Sequence, residues 1–212
     1  RGLTRPELAV VLSMAKLSLQ DAIERLKLAD DPLLGQQLFA AFPAPMVKAH
    51  GEAIRTHRLR HEILATKVAN RIVNRLGPSI PLSLTEEEGA SLGQVAVAFL
   101  AAEHLLDLPK LWERIEDAAV PEAVRIELFQ VAARSVRSHV SDILRSTGAE
   151  DRVDDLVKML QPAMRTIAAA TTRLIRSEVR NEALARREHL LSLGADAAIV
   201  DGLGRIFQLD DV

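Results

Sequence analysis

The chain has 212 residues, 48% hydrophobic and 26% charged, which is enough apolar material for one large core or two small ones and rules out a disordered tract. Its 27 basic and 29 acidic residues leave a net charge of -2, so no overall electrostatic drive toward nucleic acid or an anionic membrane exists. The absence of cysteine excludes disulfides and thiol chemistry, and 3% aromatics, with no tyrosine and the single Trp112, exclude a base-stacking platform.

Thr4-Arg5-Pro6-Glu7 opens a helix from about Arg5 to Lys27. Thr4 and Glu7 have capping-box spacing, and Pro6 sits in the first turn, where its missing N–H has no helical partner. Leu8, Val11, Leu12, Ala15, Leu19, Ile23 and Leu26 recur at helical spacing and predict its buried side. Asp31 and Pro32 then read as the N-cap and first residue of a short second helix whose stripe holds Leu34, Leu38 and Phe39 or Phe42.

After Pro43-Ala44-Pro45 the pattern predicts a central helix over 52–76, ended by Gly77-Pro78. Ile54, Leu64, Ala65, Val68, Ala69, Ile72 and Leu76 fall on one side of it at 100° per residue. Leu59 and Ile63 lie opposite, and His57, Arg58 and His61 lie within or beside the stripe, so we expect this helix to be contacted on more than one side. Residues 79–85 read as a connector, dividing the chain into a helical subdomain over 1–78 and a second over 79–212.

Ser91 and Gln94 repeat the capping-box spacing before a helix Leu92–Leu106, and Leu108-Pro109 restarts the chain into a helix Lys110–Asp117. Pro121 opens a long helix to about Thr147, with Val124, Leu128, Val131, Ala132, Val136, Val140 and Ile143 inward. Residues 153–193 are helical with an interruption at Gln161-Pro162, Gly194 ends that stretch, and a last helix runs over 196–207. No alternating strand pattern occurs. The expected fold is all-α, a bundle of roughly eight to ten helices. The missing initiator methionine, and the last residues Phe207 to Val212, which read as the start of another turn-plus-helix unit, suggest a piece of a longer protein whose second subdomain is cut short.

Candidate chemistry is sparse. His57 and His61 are four apart, but no glutamate follows the first histidine and arginines crowd both, so a hydrogen-bonding role is the stronger reading than metal binding. Arg55, Arg58, Arg60, Arg71 and Arg75 spread around the helix axis, whereas phosphate binding needs convergent donors. Gly202-Leu203-Gly204 lacks the third glycine and the strand of a dinucleotide fingerprint and reads as a helix-end turn. Glu86-Glu87-Glu88 reads as an acidic first turn. No nucleophile elbow or triad ordering is present, and no uninterrupted apolar run reaches the ~20 residues that span a bilayer. A soluble, cytoplasmic protein with neither a nucleic-acid nor a membrane partner is expected.

Gly2-Leu3-Thr4-Arg5-Pro6-Glu7-Leu8-Ala9-Val10, with Ala15-Lys16 after it, resembles the stretch that follows the catalytic domain in the large bacterial NAD-specific glutamate dehydrogenases. Further matches are Phe42-Pro43 with Pro45, His57-Arg58-Leu59-Arg60, Glu62-Ile63, Ala65-Thr66, Ala69-Asn70, Val73-Asn74, Gly77-Pro78, and Asp107-Leu108-Pro109 with Leu111-Trp112-Glu113. Ser13-Met14 and Leu76 depart from the family pattern, and the part after about Ser146 matches loosely.

The resemblance implies a parent enzyme that oxidatively deaminates L-glutamate to 2-oxoglutarate and ammonium with NAD. Neither that family's glycine-rich substrate motif with its lysine nor its nucleotide-binding strand-turn-helix has a counterpart in this chain. The expectation is therefore a C-terminal helical segment with no catalytic residue, cofactor or metal of its own. It would pack on the catalytic domain of the same polypeptide in a homo-oligomeric parent. His57, Arg58, His61, Glu62, Asn70 and Asn74 are the candidates for core or interdomain contacts, because polar groups on a central helix need defined partners. The rival readings are a free-standing helical ligand-binding or regulatory module with a pocket between helices, and a helical scaffold for protein contacts.

Overall fold

The computed structural model describes residues 2–146, 148 and 152–210. Among these residues ten α-helices follow one another: α1 Arg5–Arg25, α2 Ala44–Arg55, α3 Arg60–Leu76, α4 Ile80–Glu88, α5 Leu92–Leu105, α6 Leu108–Glu116, α7 Glu122–Ser146, α8 Val153–Leu174, α9 Ser177–Ser192 and α10 Ala197–Asp210. Two 3-10 segments, Leu28–Asp30 and Gly35–Ala41, join α1 to α2. The described residues contain no strand, and the fold is all-α as its periodicity predicts. Two compact units emerge: Arg1–Phe99 with Leu144–Asp154, and Leu100–Ile143 with Asp155–Val212. The expected connector at residues 79–85 lies inside the first unit, mostly within α4.

In the first unit α3 is the centre. It packs against α1, both 3-10 segments and α4. Leu64, Ala65, Val68, Ala69, Ile72, Val73 and Leu76 give it a buried stripe. Leu19 and Ile23 are the buried residues that α1 contributes. The capping box of α1 is present: the Thr4 N–H and hydroxyl both donate to Glu7 Oε2, at 2.7 Å each. Those bonds, the hydroxyl's first, hold the Glu7 carboxyl below its ordinary range. At α5 the second box is complete, with the Ser91 N–H donating to Gln94 Oε1 at 2.9 Å and the Gln94 N–H to Ser91 Oγ at 3.2 Å.

Three expectations for this unit are corrected. The helix over 52–76 is broken, because α2 ends at Arg55 and α3 starts at Arg60. The turn between them is held by side chains competing with the helical ladder: Thr56 Oγ1 donates to the Glu52 carbonyl at 2.9 Å, and the Leu59 N–H donates to His57 Nδ1 at 3.1 Å. Asp31 does not start an α-helix; its Oδ1 accepts from the Leu33 N–H at 2.9 Å, closing a turn between the 3-10 segments, and its Oδ2 accepts from the Asp154 N–H at 3.3 Å. Finally, the triple glutamate lies at the C-terminal end of α4, where the helix dipole opposes it. Glu88 is compensated there by Arg145, with Nε and Nη2 at 3.0 and 2.9 Å from its two oxygens.

In the second unit α7 buries all seven positions its periodicity predicts, from Val124 to Ile143; the expected end near Thr147 lies outside the described residues. On α6, Leu111, Trp112 and Ile115 are buried on one side, and the Trp112 ring stacks on Phe129 with centroids 6.0 Å apart. α10 packs against α9 and α6. Gly194, at φ 86°, ends α9 with the Gly194 N–H on the Leu191 carbonyl and the Ala195 N–H on the Leu190 carbonyl, the paired bonds of a left-handed C-terminal cap. Asp196 then caps α10 by accepting from the Ala198 N–H at 2.8 Å.

Two further expectations fail here. Pro162 lies inside α8, and the break comes instead after Leu174. Proline removes one ladder donor, a cost that a long helix can absorb. Gly202 and Gly204 are not a terminal turn but interior residues of α10. Gly202 serves close packing, since a Cβ there would meet Leu111 Cδ1 at 3.2 Å. Buried His139 ties α7 to α10: its Nε2 is 2.9 Å from the Ile206 carbonyl, so that nitrogen carries the proton and donates.

Candidate functional site

The six polar residues singled out from the sequence do not form one site. His57 and Arg58 lie in the α2–α3 turn, His61 and Glu62 in the first turn of α3, and Asn70 and Asn74 further along the helix. At 1.5 Å per residue, Glu62 and Asn74 are about 18 Å apart along the axis. His57 also packs its ring edge-on to Phe42, centroids 6.2 Å apart. His61 Nε2 lies 3.7 Å from Asp30 Oδ2, while its Nδ1 and Glu62 Oε2 are buried without a hydrogen-bond partner among the described residues. Arg58 and Asn74 are exposed.

The break at residues 56–59 also removes the helical i,i+4 relation on which a His57–His61 metal pair depends. Among the described residues no group of three or more His, Asp or Glu is placed to hold a metal ion. Arg58 is exposed and makes no hydrogen bond or ion pair among the described residues. Arg58→Leu should therefore leave the melting free energy of the chain within about 0.5 kcal/mol of the parent sequence in chemical denaturation. A larger loss would place Arg58 in the core network after all.

A second feature is the N-terminal half of α1. Leu8, Val11 and Leu12, expected to be buried, are 52%, 49% and 40% exposed, and Leu3, Val10, Met14 and Leu17 are exposed as well. At 100° per residue the helical ones among them spread over about 220° of the circumference, and Arg5, Ala9, Ser13 and Lys16 occupy the rest. An exposed apolar face this wide leaves much of the helix's apolar surface hydrated unless another surface covers it.

The third feature is a cleft of about 450 Å³ within the second unit, between α6, α8 and α10. Lys110, Arg114, Arg165 and Arg205 line it against one carboxylate, Asp107, which Lys110 already engages at 2.8 Å. Arg114, Arg165 and Arg205 have no ion pair or hydrogen bond among the described residues. The floor is apolar, with Leu111, Met164 and Ile206 among the lining side chains. No local pattern announces this cleft. Its three arginines come from three helices, and only the packing of α10 and α6, close at Gly202, brings Arg114 and Arg205 to one opening.

No single helix among the described residues is long and apolar enough to cross a membrane. Comparison with known proteins gives the chain its place. The family model for the C-terminal part of glutamate dehydrogenase matches residues 1–211. NAD-specific glutamate dehydrogenase of Halomonas elongata is 30% identical over 202 residues, 94% of this chain and 12% of that protein. The enzyme of the same name from Pseudomonas aeruginosa is 29% identical over 99% of this chain and 13% of its own length, and that from Mycobacterium tuberculosis 28% over 77% and 10%. The chain thus spans about an eighth of the first two relatives, and with its whole length matched it belongs to the glutamate dehydrogenase C-terminal family.

Proposed function

We propose that this chain is the non-catalytic helical segment of a large NAD-dependent glutamate dehydrogenase, and that it docks on the catalytic part of the same polypeptide through the N-terminal half of α1. The parent oxidatively deaminates L-glutamate to 2-oxoglutarate and ammonium, works in the cytoplasm as a homo-oligomer, and keeps its NAD site elsewhere in the polypeptide. The observation that carries the docking role is the wide exposed apolar face that Leu8, Val10, Val11, Leu12, Met14 and Leu17 form on this half of the helix. Polar candidates on α3, His61 and Glu62 above all, are proposed to complete their hydrogen bonding in the assembled enzyme, since each keeps a buried atom without a partner among the described residues.

The experiment compares NAD reduction with glutamate for the full-length polypeptide, for the same polypeptide cut before Arg1, and for the 212-residue chain. Activity should be found in the full-length protein, fall at least about tenfold on truncation, corresponding to about 1.4 kcal/mol of activation free energy, and be absent from the chain. A full-length polypeptide that does not reduce NAD with glutamate overturns the parent reaction. Unchanged activity and unchanged oligomeric state after truncation overturn the docking role.

A further inference from the structure

We infer that the cleft between α6, α8 and α10 is a binding site for a small organic polyanion, one bearing two or more carboxylate or phosphate groups on a short hydrocarbon frame. The inference concerns the second unit alone and stands whatever reaction the parent catalyses.

Charge and shape point the same way. Arg114, Arg165 and Arg205 converge on one cavity with no acidic partner among the described residues, and the one carboxylate present, Asp107, is engaged by Lys110. Like charges gathered this way repel one another unless an anion joins them. Guanidinium groups present planar forks that match carboxylate and phosphate oxygens two at a time, which a scattered set of surface lysines does not. The volume, about 450 Å³, is that of a metabolite site and too small for a macromolecular track.

The apolar floor narrows the class further. Leu111, Met164 and Ile206 offer nothing to an inorganic ion but gain from covering methylenes, each worth about a three- to fourfold change in affinity when buried. Gln161, also on the lining, supplies a neutral donor and acceptor that tolerates either headgroup. The backbone at Asp107 is in the left-handed region, φ 53°, at the mouth where α5 turns into α6. That conformation is uncommon outside glycine and turns the chain into α6, whose first turn carries Lys110 and whose last turn carries Arg114.

The test titrates the 212-residue chain with adipate, succinate and inorganic pyrophosphate at low ionic strength, by calorimetry and by the fluorescence of Trp112, its only tryptophan and the neighbour of lining residue Leu111. One saturable site is expected, with adipate bound about tenfold more tightly than succinate and weakened by added salt. Arg114→Gln, Arg165→Gln and Arg205→Gln are each expected to weaken it about tenfold. These arginines are exposed, so the variants should keep their circular dichroism. Ala168→Phe, which fills the cleft from an exposed lining position and leaves every charge in place, should abolish binding.

Tighter binding of adipate than of pyrophosphate supports the inference; tighter binding of pyrophosphate, which has no hydrocarbon frame, overturns it. No saturable binding below about 1 mM, the affinity of a weak encounter, overturns it. So does binding that survives the triple arginine variant or Ala168→Phe.

Discussion

Ile72→Asp unfolds the first unit, whereas Leu59→Asp, thirteen residues earlier, leaves it folded. Ile72 is 0% exposed on α3, the helix that touches α1, both 3-10 segments and α4. Removing such a side chain alone costs about 2–5 kcal/mol. A carboxylate in its place adds the cost of a buried charge with no partner, and the sum, at about 5 kcal/mol or more, consumes the whole stability of an ordinary domain. Leu59 is 48% exposed in the α2–α3 turn, so the same charge there meets water and should stay within about 0.5 kcal/mol. Guanidinium unfolding followed at 222 nm reads both variants. Equal losses at the two positions would show that α3 begins earlier than Arg60 and buries its other side.

That contrast also marks how far the sequence could be read. The α7 stripe was legible at all seven positions because both period and length were unambiguous: 25 residues with apolar groups at i, i+3, i+4 and i+7. Ser91–Gln94 was legible because a capping box is a local bargain between two side chains and two amides, independent of what packs beyond them. Failures arose where two rules competed. In 52–76 the periodicity contained its own contradiction, with Leu59 and Ile63 opposite the stripe and His57 and Arg58 within it. The structure resolves it with a four-residue break in which Thr56 and His57 capture backbone groups.

Other misses have simpler causes. Pro162 has the ring that ordinarily interrupts a helix, yet α8 continues for 12 residues beyond it to Leu174. Gly202 and Gly204 looked like punctuation, but Gly202 spaces α10 from Leu111. For the arginine-lined cleft there was no local signal to read, because Arg114, Arg165 and Arg205 belong to separate helices and converge only through tertiary packing. The opposite error occurred in α1: its pattern correctly predicted a helix, but pattern cannot say which part of an apolar surface finds its cover within the same 212 residues.

The N-terminal half of α1 therefore carries a prediction whose sign differs between the chain and the full-length enzyme. Pairing Leu8→Glu with Leu12→Lys and Val10→Glu with Met14→Lys replaces four exposed apolar side chains by two glutamate-to-lysine pairs at i,i+4 spacing. Each pair supports a solvated helix by about 0.2–0.5 kcal/mol, and glutamate is a better helix former than valine. In the 212-residue chain the fourfold variant should thus be at least as stable as the parent sequence, and more soluble, by thermal melting and light scattering. In the full-length polypeptide each replaced side chain forfeits about 1.5–3 kcal/mol of burial that docking would supply, and four charges must be desolvated to restore the contact. NAD-dependent glutamate oxidation, or the oligomer that supports it, should then be lost. A chain destabilised by these changes would mean that α1 is covered within its own unit; an unaffected full-length enzyme would mean that this half of the helix faces water by nature, and the docking assignment would have to move to another surface.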